Sequence, residues 1–141
     1  MLSIVQRPLS LHQRAVVRLT SRLDEELPPD LTAIAEIEII VTERPLTIRI
    51  PDVVVTRETL IEANRPRLAA ADVLLAVEIL SDGTREVDRI LKFAEYAEAG
   101  IGRYWIVDLD EPASLGAFTL VGSEEPARAR HARRSRPRRH R

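Results

Sequence analysis

The run Val73-Leu74-Leu75-Ala76-Val77-Glu78-Ile79-Leu80 is apolar at every position except one. A strand of that kind has no solvent face, so it belongs at the centre of a sheet covered on both sides. Glu78 then sits where water is scarce. An ionised carboxylate in such a place costs roughly several kcal/mol unless it is paired, bound to a metal or neutralised. A second acid, Asp52, follows Pro51 and opens another apolar run, Val53-Val54-Val55. Two carboxylates brought together repel each other, and a divalent cation is the usual remedy. Taken alone, Asp52 is equally readable as a turn aspartate capping backbone amides.

The flanking segments supply the other elements. Ser10 is a candidate cap for a helix whose inward stripe is His12, Val16, Leu19 and Leu23, ended by Pro28-Pro29. Ala35 to Val41 alternates apolar and polar residues and reads as one half-buried strand. Glu43-Arg44-Pro45 is a turn signal, and Leu46-Thr47-Ile48-Arg49-Ile50 completes a hairpin leading into Pro51-Asp52. Residues 57–72 are polar and read as a surface connection with at most one helical turn. After a turn at Ser81-Asp82-Gly83-Thr84, a helix carries Val87, Ile90, Leu91, Ala94 and Ala97 inward, and Gly100 stands where a glycine stop belongs. Arg103 to Leu109 is the next strand, and Leu115 to Val121 is a candidate for one more. The strand–helix–strand unit from Val73 to Leu109 predicts a crossover connection and parallel pairing. The expected fold is α/β, a mixed sheet flanked by helices, in the order αβββαβ.

With 141 residues the chain is long enough for one cored domain. No apolar stretch approaches the roughly 18 residues of a membrane span, and no secretory pattern opens the sequence, so a cytoplasmic protein without membrane contact is the expectation. The absence of cysteine excludes disulfides, thiolate zinc sites and cysteine nucleophiles. Charge is segregated: eight arginines and no acid lie from Arg128 onward. Setting those aside leaves 13 basic residues against all 22 acids, a net of −9 for residues 1–127. The body would therefore repel nucleic acid by its overall field, and only a local basic site, a bound cation or the tail could reverse that. Residues 127–141 have little to bury and are expected to be a disordered arginine-rich tail, with residues 1–126 as the domain. The abrupt change in composition reads as a frameshifted or read-through end of a GC-rich gene, with a nucleic-acid-binding arm as the alternative.

Lys92 is the single lysine of a chain that otherwise uses arginine. It follows Asp88 at i, i+4, which by itself describes an ordinary surface pair. A lysine is also a compact point charge suited to steadying a water or a pentavalent phosphate. Tyr96 lies one turn further along the same stripe, and Trp105 reads as core.

Four segments carry a resemblance: Ile50-Pro51-Asp52-Val53-Val54-Val55, Ala76-Val77-Glu78-Ile79-Leu80-Ser81, the helix from Asp88 to Ile101 with Lys92 and Tyr96, and Tyr104-Trp105-Ile106-Val107-Asp108. Together they resemble the Uma-type restriction endonuclease family, within the PD-(D/E)xK nuclease superfamily, over roughly Leu9 to Leu120. The resemblance implies a restriction-endonuclease-like fold and hydrolysis of DNA phosphodiester bonds. It implies Asp52 and Glu78 as metal ligands, with the Ile79 carbonyl as a further donor, and Lys92 as the third catalytic residue. The implied cofactor is Mg²⁺, with Mn²⁺ as its substitute, and the implied partners are DNA and a second copy of the chain. In the superfamily's usual pattern the lysine stands two residues after the acid, where this chain has Leu80; Lys92 on the following helix takes its place. Relative to the family's usual extent the chain reads as truncated at both ends. Two other functions remain open on the sequence: an inactive remnant of such a nuclease, and a nucleic-acid-binding protein working through its tail.

Overall fold

The computed structural model describes residues 10–80 and 86–121, and the side chains of residues 10–80 and 92–121. The turn at residues 81–85, the proposed cap Thr84, the side chain of Asp88 and the arginine tail lie outside that set.

Helix α1 (Ser10–Glu26) comes first, followed by β1 (Leu31–Ala35), β2 (Glu38–Glu43), β3 (Leu46–Arg49) and β4 (Val53–Arg57). A short α2 (Glu58–Glu62), β5 (Arg67–Ala69) and a 3₁₀ turn (Ala70–Asp72) lead into β6 (Leu75–Leu80). Then come α3 (Glu86–Glu98), β7 (Arg103–Asp108) and β8 (Ser114–Thr119). The main sheet has the order β1-β4-β6-β7-β8, and a second, smaller sheet has the order β3-β2-β5. Strands β6 and β7 pair in parallel around the α3 crossover, and their other neighbours in the main sheet pair antiparallel. This is the expected mixed sheet flanked by helices. No helix among the described residues is long and apolar enough to cross a membrane.

Every residue of β6 is buried, as a strand with two covered faces requires. Its alternation sorts the core into two layers. Leu75, Val77 and Ile79 join Val53, Val55, Ala33 and the α1 side chains Val16, Leu19 and Leu23. Ala76 and Leu80 face the other way, with Val54, Ile39, Tyr96, Tyr104 and Ile106. Each fully buried valine or isoleucine here contributes about 1.5–3 kcal/mol relative to exposure. α1 is tied to the sheet at its far end, where Asp24 Oδ1 accepts from the Ala33 N–H (2.7 Å) and the Thr32 hydroxyl (3.3 Å). α3 ends as expected: Gly100 takes φ +94°, its N–H donates to the Ala97 carbonyl, and the Ile101 N–H donates to that of Tyr96. That pair of bonds is the Schellman arrangement, which glycine adopts without a steric penalty.

Two expectations are corrected. The alternating segment Ala35 to Val41 is not one strand: Ala35 closes β1 in the main sheet and Ile39 belongs to β2 in the smaller one. Glu36 between them takes φ 55°, a left-handed conformation that redirects the chain. Residues 57–72 are also more than a surface connection. They carry α2, β5 and the 3₁₀ turn, bury Leu68 and Ala70, and are pinned where the Thr56 hydroxyl donates to the Asp72 carbonyl at 2.7 Å. The αβββαβ order survives as the framework, with these elements, the separate β1 and the unexpected strand β4 inserted and the candidate last strand present as β8.

Candidate active site

Glu78 follows Val77 on β6, and alternation turns it to the α3 side of the sheet. It is one of two buried polar or charged residues among those described, the other being Thr56. α3 crosses above it with Lys92 and Tyr96 at i, i+4, so both side chains fall on the same helix face. Lys92 Nζ lies 3.2 Å from Glu78 Oε1, and the Tyr96 hydroxyl donates to the same oxygen at 3.1 Å. Burial pushes the Glu78 carboxyl above the ordinary glutamate value; the Lys92 ammonium opposes that push and the charge of Asp52 adds to it. Burial and the charge of Glu78 raise the Tyr96 phenol far above its usual value, so Tyr96 is a hydrogen-bond donor and not a base.

Asp52 stands one residue beyond the last β4–β6 pair, Val53↔Val77, just as Glu78 does on the partner strand. Its Oδ2 accepts from the Ile79 N–H at 2.7 Å, so a side chain takes over where the backbone ladder stops. Pro51, buried just before it, has no N–H to leave stranded. The other carboxylate oxygen, Oδ1, lies 3.2 Å from His12 Nε2 in the first turns of α1. Asp52 thus joins the two layers, with α1 on one side and Glu78 under α3 on the other.

The structure therefore brings Glu78, Lys92 and Tyr96 into direct contact and sets Asp52 beside them. Sequence reasoning passed over His12, treating it as one more position of the inward stripe of α1. The structure places it on that stripe but against a carboxylate, with Nδ1 buried and lacking a hydrogen-bond partner among the described residues. Nε2, facing Asp52 Oδ1, is placed to donate to it. The signal available in the sequence was the oddity of an imidazole in register with Val16, Leu19 and Leu23.

The sequence matches the profile of the Uma2 family, described as "Putative restriction endonuclease", over residues 3–134. This chain belongs to the Uma2 family. Among solved structures, this Uma2 chain is similar to a protein of Anabaena variabilis ATCC 29413 described as "a putative nuclease belonging to DUF820". That likeness has a TM-score of 0.65 and 19% identity, and covers 85% of this chain and 67% of the other. At that identity it establishes the shared fold. No curated protein matches the chain. Family membership supports a nuclease function for the Uma2 chain, and the α/β framework is that of its structural neighbour.

Proposed function

We propose that the protein is a divalent-metal-dependent endonuclease that hydrolyses DNA phosphodiester bonds at the site formed by Asp52, Glu78 and Lys92. The observation that carries this reading is the buried Glu78 carboxylate, held by Lys92 and Tyr96 and set beside Asp52 at the end of the β4–β6 pairing.

The donor set fits a hard cation. Asp52 and Glu78 would hold Mg²⁺, or Mn²⁺ in its place, through carboxylate oxygens. Among the described residues no group of three His, Asp or Glu side chains is gathered closely enough to hold a metal. Mg²⁺ keeps several waters and binds through one or two carboxylates plus a substrate phosphate, so Asp52 and Glu78 are the donors the proposal needs. When bound, such an ion polarises the phosphodiester and lowers the pKa of a coordinated water. The chain's own groups do the rest. Lys92, whose side chain is 35% exposed, presents its ammonium at the rim of the site, where it neutralises charge developing on phosphate oxygens. Tyr96 fixes the orientation of Glu78, and the Ile79 N–H fixes that of Asp52.

Plasmid DNA incubated with the full-length protein and Mg²⁺ or Mn²⁺ should be nicked or cut, and EDTA should stop the reaction. Asp52→Asn should slow it at least about a hundredfold, the upper end of losses seen for groups that merely support a ligand. Cleavage that continues in EDTA, or at the same rate in the Asn variant, would refute the reading.

His12 supports the same site from α1. Replacing it with leucine frees Asp52 Oδ1, whereas glutamine offers an amide N–H in place of Nε2–H. Calorimetric titration with Mn²⁺ should show affinity about 10- to 100-fold weaker for His12→Leu and close to the parent for His12→Gln. Equal affinity for all three proteins would mean that the His12–Asp52 contact is only packing.

A further inference from the structure

Outside residues 128–141 the chain carries a net −9, a field that repels a polyanion. The beginning of the chain departs from that balance: its first 23 residues hold four arginines and no acid. Three of them, Arg14, Arg18 and Arg22, follow one another at i, i+4 on α1, and all three are exposed. The opposite side of the same helix carries Val16, Leu19 and Leu23 into the core.

The spacing does not serve the helix. Like charges at i, i+4 destabilise an isolated helix by about 0.2–0.5 kcal/mol per pair. Among the described residues, Arg14 and Arg18 have no carboxylate within salt-bridge distance. Arg22 has only the exposed Glu25 and Glu26, at 3.9 and 3.7 Å. Contacts of that kind are weak and readily exchanged. Four residues of helix rise about 6 Å, so the three guanidinium groups span about 12 Å. Phosphates of one strand follow at about 3.4 Å along a duplex axis, so that length matches about three to four of them. Position supplies the other half of the argument: the helix that displays these arginines is the one whose first turns bring His12 to Asp52.

We infer that the outer face of α1, through Arg14, Arg18 and Arg22, is the track along which the phosphate backbone of the nucleic-acid substrate lies as it reaches the site. The inference rests on the nuclease reading. It gives the acidic body a local basic strip on the helix that carries His12, separate from the arginine tail.

The test uses the full chain carrying Glu78→Gln, so that a labelled DNA duplex stays uncut. Binding is measured by fluorescence anisotropy over a range of salt concentrations. Adding Arg14→Gln and Arg18→Gln together should weaken binding roughly tenfold and lower the slope of log affinity against log salt by about 1.8, at about 0.9 per lost phosphate contact. Adding Arg133→Gln and Arg134→Gln in the tail should leave both nearly unchanged. Both arginines on α1 are exposed, and an unaltered melting temperature would confirm that the variant is folded. An unchanged affinity and slope in the α1 variant overturns the inference, as does a duplex that the parent chain fails to bind. A loss confined to the α1 variant, together with a native chain that never cuts DNA with any divalent cation, upholds the track and overturns the nuclease reading instead.

Discussion

Glu78→Gln should abolish the proposed metal-dependent cleavage and, with no metal present, raise the melting temperature at pH values above the raised Glu78 pKa. Both results follow from one property of the site. Glu78 is buried and its carboxyl is pushed above the ordinary value of 4.5, chiefly by desolvation, with Asp52 adding to the push and Lys92 opposing it. A carboxyl whose pKa rises on folding stabilises the native state when protonated. That contribution is full below 4.5 and is lost as pH climbs through the raised native value. Above that native value the metal-free protein holds a charge that burial penalises. Glutamine keeps the shape and an acceptor for Tyr96 while removing the charge, for a gain of about 0.5–2 kcal/mol, the range common for a single stabilising change. Millimolar Mn²⁺ should raise the melt of the parent, because a ligand of the folded state alone stabilises it, and should leave the variant unmoved. Melting curves from pH 4 to 8 check the first half: the metal-free parent should lose stability as pH rises above 4.5, and the variant should lose less. A variant that melts below its parent at every pH would contradict this account of Glu78.

The second large effect is structural. Tyr96 is fully buried, packs edge-on against Tyr104 with ring centroids 5.4 Å apart, and donates its hydroxyl to Glu78. Tyr96→Ala removes that ring from the centre of the α3 layer and should cost about 3–5 kcal/mol, as aromatic-to-alanine changes in cores do. Against a total of about 5–15 kcal/mol, the melting temperature should fall on the order of 10 °C. Tyr96→Phe keeps the ring and loses only the hydrogen bond, at about 1 kcal/mol. It carries a signature that the alanine variant does not isolate. The Tyr96 bond lowers the Glu78 pKa, so its loss raises that pKa further and extends the pH-dependent loss of stability to higher pH. If the alanine variant melts within a few degrees of the parent, Tyr96 is not the keystone of this layer.

How much of this was legible in the sequence depended on how local each determinant is. The β6–α3–β7 unit could be read because each part declares itself: an unbroken apolar run, an inward stripe, a glycine at the helix end, and an aromatic-rich strand. The meeting of Glu78 with Lys92 was implied only by the family resemblance, and Tyr96 was readable equally as packing; the structure supplies both contacts. The break at Glu36 left no trace, because the apolar alternation continues from Ala35 through Ile37 to Ile39 while the backbone changes sheets. β5 was hidden for a different reason. It is three residues long and buries only Leu68, too little to stand out from a polar segment. His12 was visible as a residue but not as a contact. Spacing shows which way a helical side chain points, and nothing local shows that the sheet answers it with Asp52.

The place where β4 and β6 part company has a consequence for how the site is made. A backbone zipper normally stops at a turn or at an edge. Here it stops because an acid has taken the next amide for its own side chain, with a second acid level with it on the facing strand. The stop and the proposed site are thus one object. Extending the zipper by a single rung would withdraw the Ile79 amide from Asp52 and free that carboxylate to turn away. A variant of the protein could in this way gain a longer, better-paired sheet and lose its chemistry in the same step.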